Sequence, residues 1–316
     1  IILIFYSRQD KDFHPNAPIF ADLILKPMKN IISIILFVIS ALLSAQSEKK
    51  LPLKNYFVTH LPDSLEETSG LDFFNGELFS FNDSGNSSEL FKISPKTGKI
   101  LKVYHPDIVN KDCEAITNDG QHIYMADFGN NLGTRQDLTI YKIKMEGDSL
   151  QSPIVKLPFY YPEQEDFSRN NRNTDFDAES IIYHKGKLHI FTKEWKSKNT
   201  THYTIDPNNT EKQAAEKLES FPIGFVATDA AYYNGRLYIV GYTKSLRAFL
   251  YIFEENSDGL FFQGKNEKYP LGGVLTVGQI EGIAVDDSGI YLSGEKFKVP
   301  VKLIKQSLYF IPATDL

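Results

Sequence analysis

The sequence predicts an all-β fold, a β-propeller of four-stranded antiparallel blades, from three observations. A short motif recurs five times along the 316 residues, each copy leads into a glycine-containing turn followed by an apolar strand, and no useful helical periodicity follows residue 45. Turn dipeptides such as Asn-Gly and Asp-Gly between two apolar runs are the strongest local signal of a β-hairpin. Four short strands every 45 residues or so is the period of a propeller blade.

The recurring motif consists of an acidic or small polar residue, then a tiny residue, then an aliphatic one. Its five copies begin at Ser69, Glu114, Glu179, Asp229 and Glu281. Successive copies are 45, 65, 50 and 52 residues apart. We therefore expect five blades. A sixth blade within the long second interval, which includes the polar insertion 160–174, is one alternative, and an antiparallel sandwich with evenly spaced strands is another.

The fifth copy contains only three strands, the last of them at residues 307–311. Residues 55–60 form a further strand-like segment ahead of the first copy. Pairing of these two segments would complete the fifth blade and would leave no free sheet edge, which a soluble propeller has to avoid. We expect closure of the ring by this N-terminal strand.

Residues 28–45 have the layout of a secretory signal peptide. Met28 and Lys29 precede an apolar run over residues 31–43, and small residues follow up to Ala45. A permanent membrane anchor needs about 20 apolar residues and is the weaker alternative. We interpret residues 1–27 as an extension outside the fold and residues 46–316 as a single propeller domain. The predicted location is secreted or periplasmic.

Composition excludes some classes of partner and site. The 34 Lys and Arg residues against 40 Asp and Glu residues give a net charge of −6. Binding of nucleic acid depends on clustered basic residues, so a nucleic-acid partner is not expected. A single Cys excludes an intramolecular disulfide and a cysteine-based zinc site. A small molecule, a glycan or an envelope protein remains as the expected partner of a monomeric propeller without a membrane span.

Acidic residues begin four of the five copies. The first strand of each blade lines the central channel of a propeller, so Glu114, Glu179, Asp229 and Glu281 are predicted to converge there. Converging carboxylates repel one another unless they are protonated or bind a cation. Oxygen ligands in this number suit Ca²⁺, and Mg²⁺ is the stricter alternative. The other interpretation is that these carboxylates are solvated or cap backbone amides.

A second set of acidic residues flanks the same strands. Glu67, Asp112 and Asp177 lie two residues before the motif in the first three copies. Further acidic residues follow the second strands, at Asp83, Asp127, Glu194 and Glu295. These positions need only a turn-forming residue, so a recurring acid is a functional signal. Together they predict an acidic face at one end of the channel.

Known catalytic motifs are missing from the sequence. It contains no Gly-x-Ser-x-Gly elbow, no His-Glu-x-x-His pair, no P-loop and no dinucleotide-binding fingerprint. Asp127 and Glu295 are therefore the catalytic candidates, each as a base beside a bound cation.

The segments 67–71 and 81–85, with 112–116 and 127–130, resemble a group of poorly characterised secreted bacterial propellers. More loosely, the chain is similar to calcium-dependent propellers that include the gluconolactonase-like and esterase-like phytase proteins. In those propellers channel carboxylates hold the metal, which polarises an ester, lactone or phosphate. The resemblance implies Glu114, Glu179, Asp229 and Glu281 as ligands. The sequence departs from that pattern at Ser69 and in its five copies.

Two functions follow from these expectations. The first is an exported propeller that presents a loop-rich acidic face to a ligand or partner, with a divalent cation in the channel. The alternative is a metal-dependent hydrolase that acts on an ester, lactone or phosphate. An open coordination position with a base beside it would distinguish the hydrolase from the binding protein.

Overall fold

A computed structural model describes residues 50–300 and 302–316 of the chain. The predicted extension at residues 1–27 and the predicted signal peptide at residues 28–45 lie outside the described residues. Within the described part, secondary structure is almost entirely β. A search of these residues for a helix with the length and apolarity needed to cross a membrane finds none.

The strands form five blades, each a small antiparallel sheet, confirming the predicted propeller. Strand β1 (Phe57–His60) precedes the first blade. Blade 1 consists of β2 (Thr68–Phe74), β3 (Glu77–Asn82), β4 (Leu90–Ile93) and β5 (Ile100–Tyr104). Blade 2 consists of β6 (Cys113–Asn118), β7 (His122–Asp127), β8 (Thr139–Glu146), the short β9 (Ser149–Leu150) beside β8, and β10 (Val155–Tyr160).

The remaining blades repeat this order from the axis outward. Blade 3 consists of β11 (Ala178–His184), β12 (Lys187–Thr192), β13 (Thr200–Ile205) and β15 (Glu216–Phe221), and the short β14 (Gln213–Ala214) pairs with β10 of blade 2. Blade 4 consists of β16 (Val226–Tyr233), β17 (Arg236–Tyr242), β18 (Arg247–Glu254) and β19 (Asn266–Gly273). Blade 5 consists of β20 (Gln279–Asp286), β21 (Gly289–Glu295), β24 (Ser307–Pro312) and β1.

Short elements connect these strands. A separate hairpin, β22 (Phe297–Val299) with β23 (Lys302–Ile304), follows β21. The helix α1 (Val274–Val277) links blades 4 and 5, and single 3₁₀ turns occur at Leu53–Tyr56, Asp63–Leu65 and Ala313–Asp315. Residues 161–177, where a sixth blade was the alternative, contain no strand. The described chain therefore has five blades.

The predicted N-terminal closure is confirmed. Strand β1 pairs antiparallel with β24, with Phe57 opposite Tyr309 and His60 opposite Ser307. The innermost strands β2, β6, β11, β16 and β20 contact one another in a closed cycle. The first and last strands thus share one blade, and the ring has no open seam.

Apolar side chains are buried between blades rather than in one central core. Five clusters each join one pair of neighbouring blades around the ring. Their members include Phe79 with Ile116, Tyr124 with Ile181, Phe191 with Ile239, Tyr238 with Ile290, and Leu78 with Leu308. Burying one such side chain contributes about 1.5–3 kcal/mol. Both faces of every blade are covered, which leaves the channel and the loops for polar groups.

Each innermost strand carries a β-bulge at the same level. The pairing with the second strand shifts at Ser69 and Gly70 in blade 1 and at one residue in each other blade: Glu114, Glu179, Thr228 and Glu281. A bulge leaves its extra residue unpaired and re-aims that side chain. We call these five positions the bulge ring, with Ser69 as its member in blade 1.

Asp229 connects three blades across the axis. Its side chain is fully buried. One carboxylate oxygen accepts hydrogen bonds from the backbone N–H of Leu71 in β2, at 3.3 Å, and of Ile283 in β20, at 2.7 Å. The other oxygen accepts the N–H of Ala230, at 2.8 Å. Burial raises the pKa of Asp229 well above its ordinary value, against the effect of these hydrogen bonds.

Asp229→Ala should destabilise the protein severely, because it leaves three backbone donors without their acceptor. An unsatisfied buried donor costs about 1–3 kcal/mol, so we expect a loss of about 3 kcal/mol or more in the free energy of unfolding. Urea denaturation measures it. Asp258→Ala, at an exposed carboxylate, is the matched control and should stay within about 0.5 kcal/mol of the parent. Equal stability of the two variants would contradict a bridging role.

Candidate functional site

Two rings of side chains meet at one end of the channel. The first is the bulge ring. The second contains the residue that ends or directly follows each second strand: Asp83, Phe128, Lys193, Tyr242 and Glu295. A pocket of about 150 Å³ opens here, and members of both rings line it. The bulge ring contributes Ser69, Glu114, Glu179 and Glu281, and the second ring contributes Asp83, Lys193, Tyr242 and Glu295.

The fourth copy of the predicted repeat is displaced by one residue. Asp229 pairs with Val240 in the ordinary register, and the bulge falls on Thr228. A shift of one residue turns a side chain to the opposite face of a strand. Asp229 therefore lies outside the pocket, while three of the predicted ligands, Glu114, Glu179 and Glu281, are brought together in it.

Three other predicted acids support the structure around the pocket instead of lining it. Asp127 bonds the Arg135 guanidinium at 2.8 Å and accepts the backbone N–H of Asp112 at 2.9 Å. Asp177 accepts the indole N–H of Trp195 at 2.7 Å, and burial raises its pKa to about 6. Glu194 accepts hydroxyl hydrogen bonds from neighbouring strand residues, including Thr201 at 2.6 Å. All three are buried.

Lys193 is a buried cation inside the acidic pocket. Its ammonium group pairs with the Glu179 carboxylate and lies over the rings of Trp195, at 5.0 Å, and Tyr242, at 5.6 Å. Burial alone would lower the pKa of Lys193, but Glu179 and Glu281 raise it well above its ordinary value. Lys193 therefore stays charged and neutralises one of the surrounding carboxylates.

The remaining carboxyl groups resist ionisation. Burial, together with repulsion from Glu179 and Asp83, raises the pKa of Glu114 well above its ordinary value. Burial raises the pKa of Glu281 to about 7, against the effect of Lys193. Burial and repulsion from Glu281 raise the pKa of Glu295 to about 9. Gln279 donates hydrogen bonds to both Glu281, at 3.2 Å, and Glu295.

Asp83, Asp112 and Glu114 form a compact carboxylate triad. One oxygen from each lies within 4.8 Å of the others. Burial raises the pKa of Asp83 to about 6 and also raises that of Asp112. Gly129 provides the space, because a Cβ there would lie 2.5 Å from an oxygen of Asp112 and 2.7 Å from one of Glu114.

Glu67 lies beside this triad but outside the pocket. It is exposed, and its carboxylate accepts a hydrogen bond from the Asn86 side chain at 2.6 Å. The acidic face predicted from the sequence therefore divides into pocket residues, supporting residues and an exposed rim.

A second cleft, of about 510 Å³, continues from the acidic pocket. The two share Arg172, Trp195, Tyr242 and Gln279 as lining residues. The sequence leaves two interpretations of loop charges such as Lys193 and Arg172, contact with an anionic ligand or simple solvation, and it assigns no role to Tyr242 or Gln279. Alignment of the residues after each second strand would have grouped Lys193 and Tyr242 with Asp83 and Glu295, but nothing in the sequence marks Gln279.

A scan against protein-family models and a search of curated proteins find no match for this chain. Solved structures with a similar chain fold include the PQQ-bound aldose sugar dehydrogenase of Streptomyces coelicolor. It has 11% sequence identity and a TM-score of 0.46, and the match covers 80% of this chain and 96% of the other. A glucose dehydrogenase-like protein of Thermus thermophilus has 14% identity, TM-score 0.43, and coverage of 80% and 98%. The periplasmic gluconolactonase of Pseudomonas aeruginosa has 11% identity, TM-score 0.39, and coverage of 75% and 71%.

Of the resemblance expected from the sequence, only the propeller fold is supported. Identities this low carry no family membership or activity, and none of the activities of those proteins is transferred to this chain.

With chelator present, the free energy of unfolding should fall as pH rises from about 5 to 9. Glu281, with a pKa of about 7, and Glu295, with a pKa of about 9, keep protons that the unfolded chain has already lost. The stability that these protonated groups contribute is present at low pH and is lost as pH passes through the folded pKa values. Urea denaturation at a series of pH values measures the slope. Glu295→Gln should flatten its upper part, and a parent curve that rises over this range would contradict the assignment.

Proposed function

We propose that this propeller binds a divalent cation, Ca²⁺ in the first instance, at the Asp83–Asp112–Glu114 triad, and presents it to a small ligand in the adjoining pocket. The observation that carries the proposal is the convergence of three carboxylate oxygens within 4.8 Å at the channel mouth. Ca²⁺–oxygen distances of about 2.3–2.6 Å separate opposite ligands by about 4.6–5.2 Å, so the triad fits one coordination sphere.

The charge of the pocket supports a cation. Five carboxyl groups line it, against the two basic residues Lys193 and Arg172. Lys193 is already paired with Glu179. Like charges at this density either hold protons or bind a cation, and the raised pKa values of Glu114, Glu281 and Glu295 favour protonation when no cation is bound. Cation binding should accordingly release protons near neutral pH.

Ca²⁺ fits the surroundings better than Mg²⁺ does. Ca²⁺ accepts six to eight oxygens in flexible geometry, whereas Mg²⁺ requires a near-ideal octahedron at about 2.0–2.1 Å. Asp83 and Asp112 are only half-buried, so water can complete the ligand set. Glu179 and Glu281, which the sequence predicted as ligands, are engaged by Lys193 and Gln279 and are proposed to act on the bound ligand.

The export predicted from residues 28–45 is part of this proposal. Extracellular calcium modules bind with dissociation constants of about 10⁻⁴–10⁻³ M, which sets the titration range. A site with such a dissociation constant fills at extracellular calcium concentrations and stays empty at the much lower concentrations of the cytosol.

Ca²⁺ added to chelator-treated protein should raise the thermal midpoint. A cation at about 100 times its dissociation constant stabilises the folded state by about 2.7 kcal/mol. The shift should be abolished in Asp83→Asn and Asp112→Asn, which remove ligand charge. Gly129→Ala should reduce it, because its methyl group occupies the space of the two carboxylates.

Glu165→Gln is the control for lost negative charge, since Glu165 is exposed and has no side-chain hydrogen bond or ion pair in the described part of the chain. It should keep the full calcium shift. A parent protein without any shift, or a shift that survives in both triad variants, would refute the cation site.

A second candidate function is metal-dependent hydrolysis of an ester, lactone or phosphate. One observation favours it: Glu295, with its pKa raised to about 9 by burial, lines the same pocket as Asp83 and Glu114. A carboxyl group that keeps its proton at neutral pH can donate that proton to a leaving group. A cation bound at the triad would polarise the substrate oxygen.

Hydrolysis of para-nitrophenyl acetate and para-nitrophenyl phosphate in the presence of Ca²⁺ tests this candidate. Glu295→Gln should lower kcat by about 100-fold or more, the usual contribution of a general acid, while Glu165→Gln leaves kcat unchanged. Absence of turnover with both substrates in the calcium-bound parent would leave the binding function as the better assignment.

A further inference from the structure

We propose that the ligand of this site is a small organic anion whose carboxylate or phosphate group is bound by Arg172, with a largely apolar body in the 510 Å³ cleft. This deepens the proposed function and rests on it, because the anionic group would lie between Arg172 and the cation site. The sequence gives several loop cations as candidates for an anionic ligand and does not single out Arg172 among them.

Arg172 is held in position without being neutralised. Its guanidinium lies over the ring of Trp195, at 5.2 Å. In the described part of the chain it has no ion pair and no side-chain hydrogen bond, although the pocket beside it contains five carboxyl groups. A guanidinium fork binds carboxylate and phosphate groups through two parallel hydrogen bonds. Its donors remain available for such a group.

The connection that carries Arg172 is fixed to blade 2. The backbone N–H of Arg172 bonds the carbonyl of Asn131 at 2.8 Å, and that of Asn170 bonds the carbonyl of Leu132 at 2.9 Å. Arg172 has φ of 51°, a left-handed conformation that is uncommon for a residue with a side chain. Trp195 beneath it is buried and anchored to Asp177. The Arg172 side chain is itself exposed, but its backbone and the Trp195 ring beneath it are fixed, which limits the ordering needed to bind a ligand.

Other positive groups lie on the same wall. Lys244 lines the cleft, is exposed, and has no ion pair in the described residues. Lys198, whose ammonium group donates a hydrogen bond to the Trp195 carbonyl, lies behind this wall, and burial together with repulsion from Lys244 lowers its pKa. Unneutralised positive charges on one wall attract an anion. The acidic floor and this basic wall make the site dipolar, so a ligand with one anionic group has a defined orientation.

The rest of the cleft fits an apolar body. Val226, Tyr242, Leu246 and Phe297 line it together with Arg172 and Lys244. A volume of about 510 Å³ lies within the range of about 300–1,000 Å³ typical of small-molecule sites. A neutral ligand would leave the cationic wall unpaired, and an inorganic anion would leave the apolar lining uncovered. An organic anion satisfies both parts.

Calorimetric titration of the purified protein in saturating Ca²⁺ with benzoate, phenyl phosphate and benzyl alcohol tests this inference. All three compounds contain a phenyl ring, but only benzoate and phenyl phosphate carry an anionic group, so benzyl alcohol is the neutral control. Arg172→Gln should weaken binding of the anions by about tenfold or more, the size expected for a charged hydrogen-bond pair. Arg169→Gln removes the same charge from a residue of the same connection that lines neither the pocket nor the cleft, and this variant should bind like the parent.

Preference for benzoate or for phenyl phosphate identifies the carboxylate or the phosphate class. The inference is overturned if neither anion binds, if benzyl alcohol binds as tightly, or if Arg172→Gln and Arg169→Gln behave alike. The calcium-dependent thermal shift is measured separately on each variant and should persist in Arg172→Gln. Arg172-dependent anion binding without any calcium shift would support the anion site and refute the cation site, so the two failures are distinguishable.

Discussion

The arrangement at the axis depends on one buried carboxylate, that of Asp229. It accepts backbone hydrogen bonds from the innermost strands of blades 1 and 5 while belonging to blade 4. Those strands also carry Ser69 and Glu281, two members of the bulge ring that line the acidic pocket. A carboxylate buried at this depth is stable only when its oxygens are satisfied, and here the backbone satisfies them. The hydrogen bonds of Asp229 therefore hold both the innermost strands and the pocket residues that these strands carry.

The blades and their closure could be predicted because they depend on local signals. Turn dipeptides and apolar strands are patterns of neighbouring residues, and their regular spacing predicts the blades. The strand at 57–60 was predicted in the same way, as the missing strand of blade 5. The pocket depends on single-residue register, which those signals do not fix. Thr228 lies five residues before the last pair of its hairpin, as Glu179 and Glu281 do in theirs, so Thr228 and not Asp229 occupies the bulge ring and the acidic motif is one residue out of step in this copy. Asp127 likewise lies one position before the ring member Phe128.

Lys193 shows a second limit of sequence reasoning. A lysine after a strand is usually solvated, and only the convergence of several blades reveals that this one is buried among carboxylates. Its charge changes the interpretation of the pocket, because Glu179 forms an ion pair with Lys193. The carboxylates that remain for a cation are those of the triad in blades 1 and 2. A propeller can thus place acidic and basic groups from distant repeats a few ångströms apart without any recognisable motif.

The shared blade of the first and last strands has a consequence for biosynthesis. His60 and Ser307, whose side chains lie 3.0 Å apart, are 247 residues apart along the chain. Four blades can form from neighbouring hairpins as the polypeptide emerges, but the fifth has to wait for nearly the whole chain. Because contacts between such distant segments form only after a long loop has closed, we expect this pairing to be the slow step of folding. Until it is completed, the outer edge of β24 is a template for pairing with another molecule, so a nascent chain needs protection from aggregation at this strand.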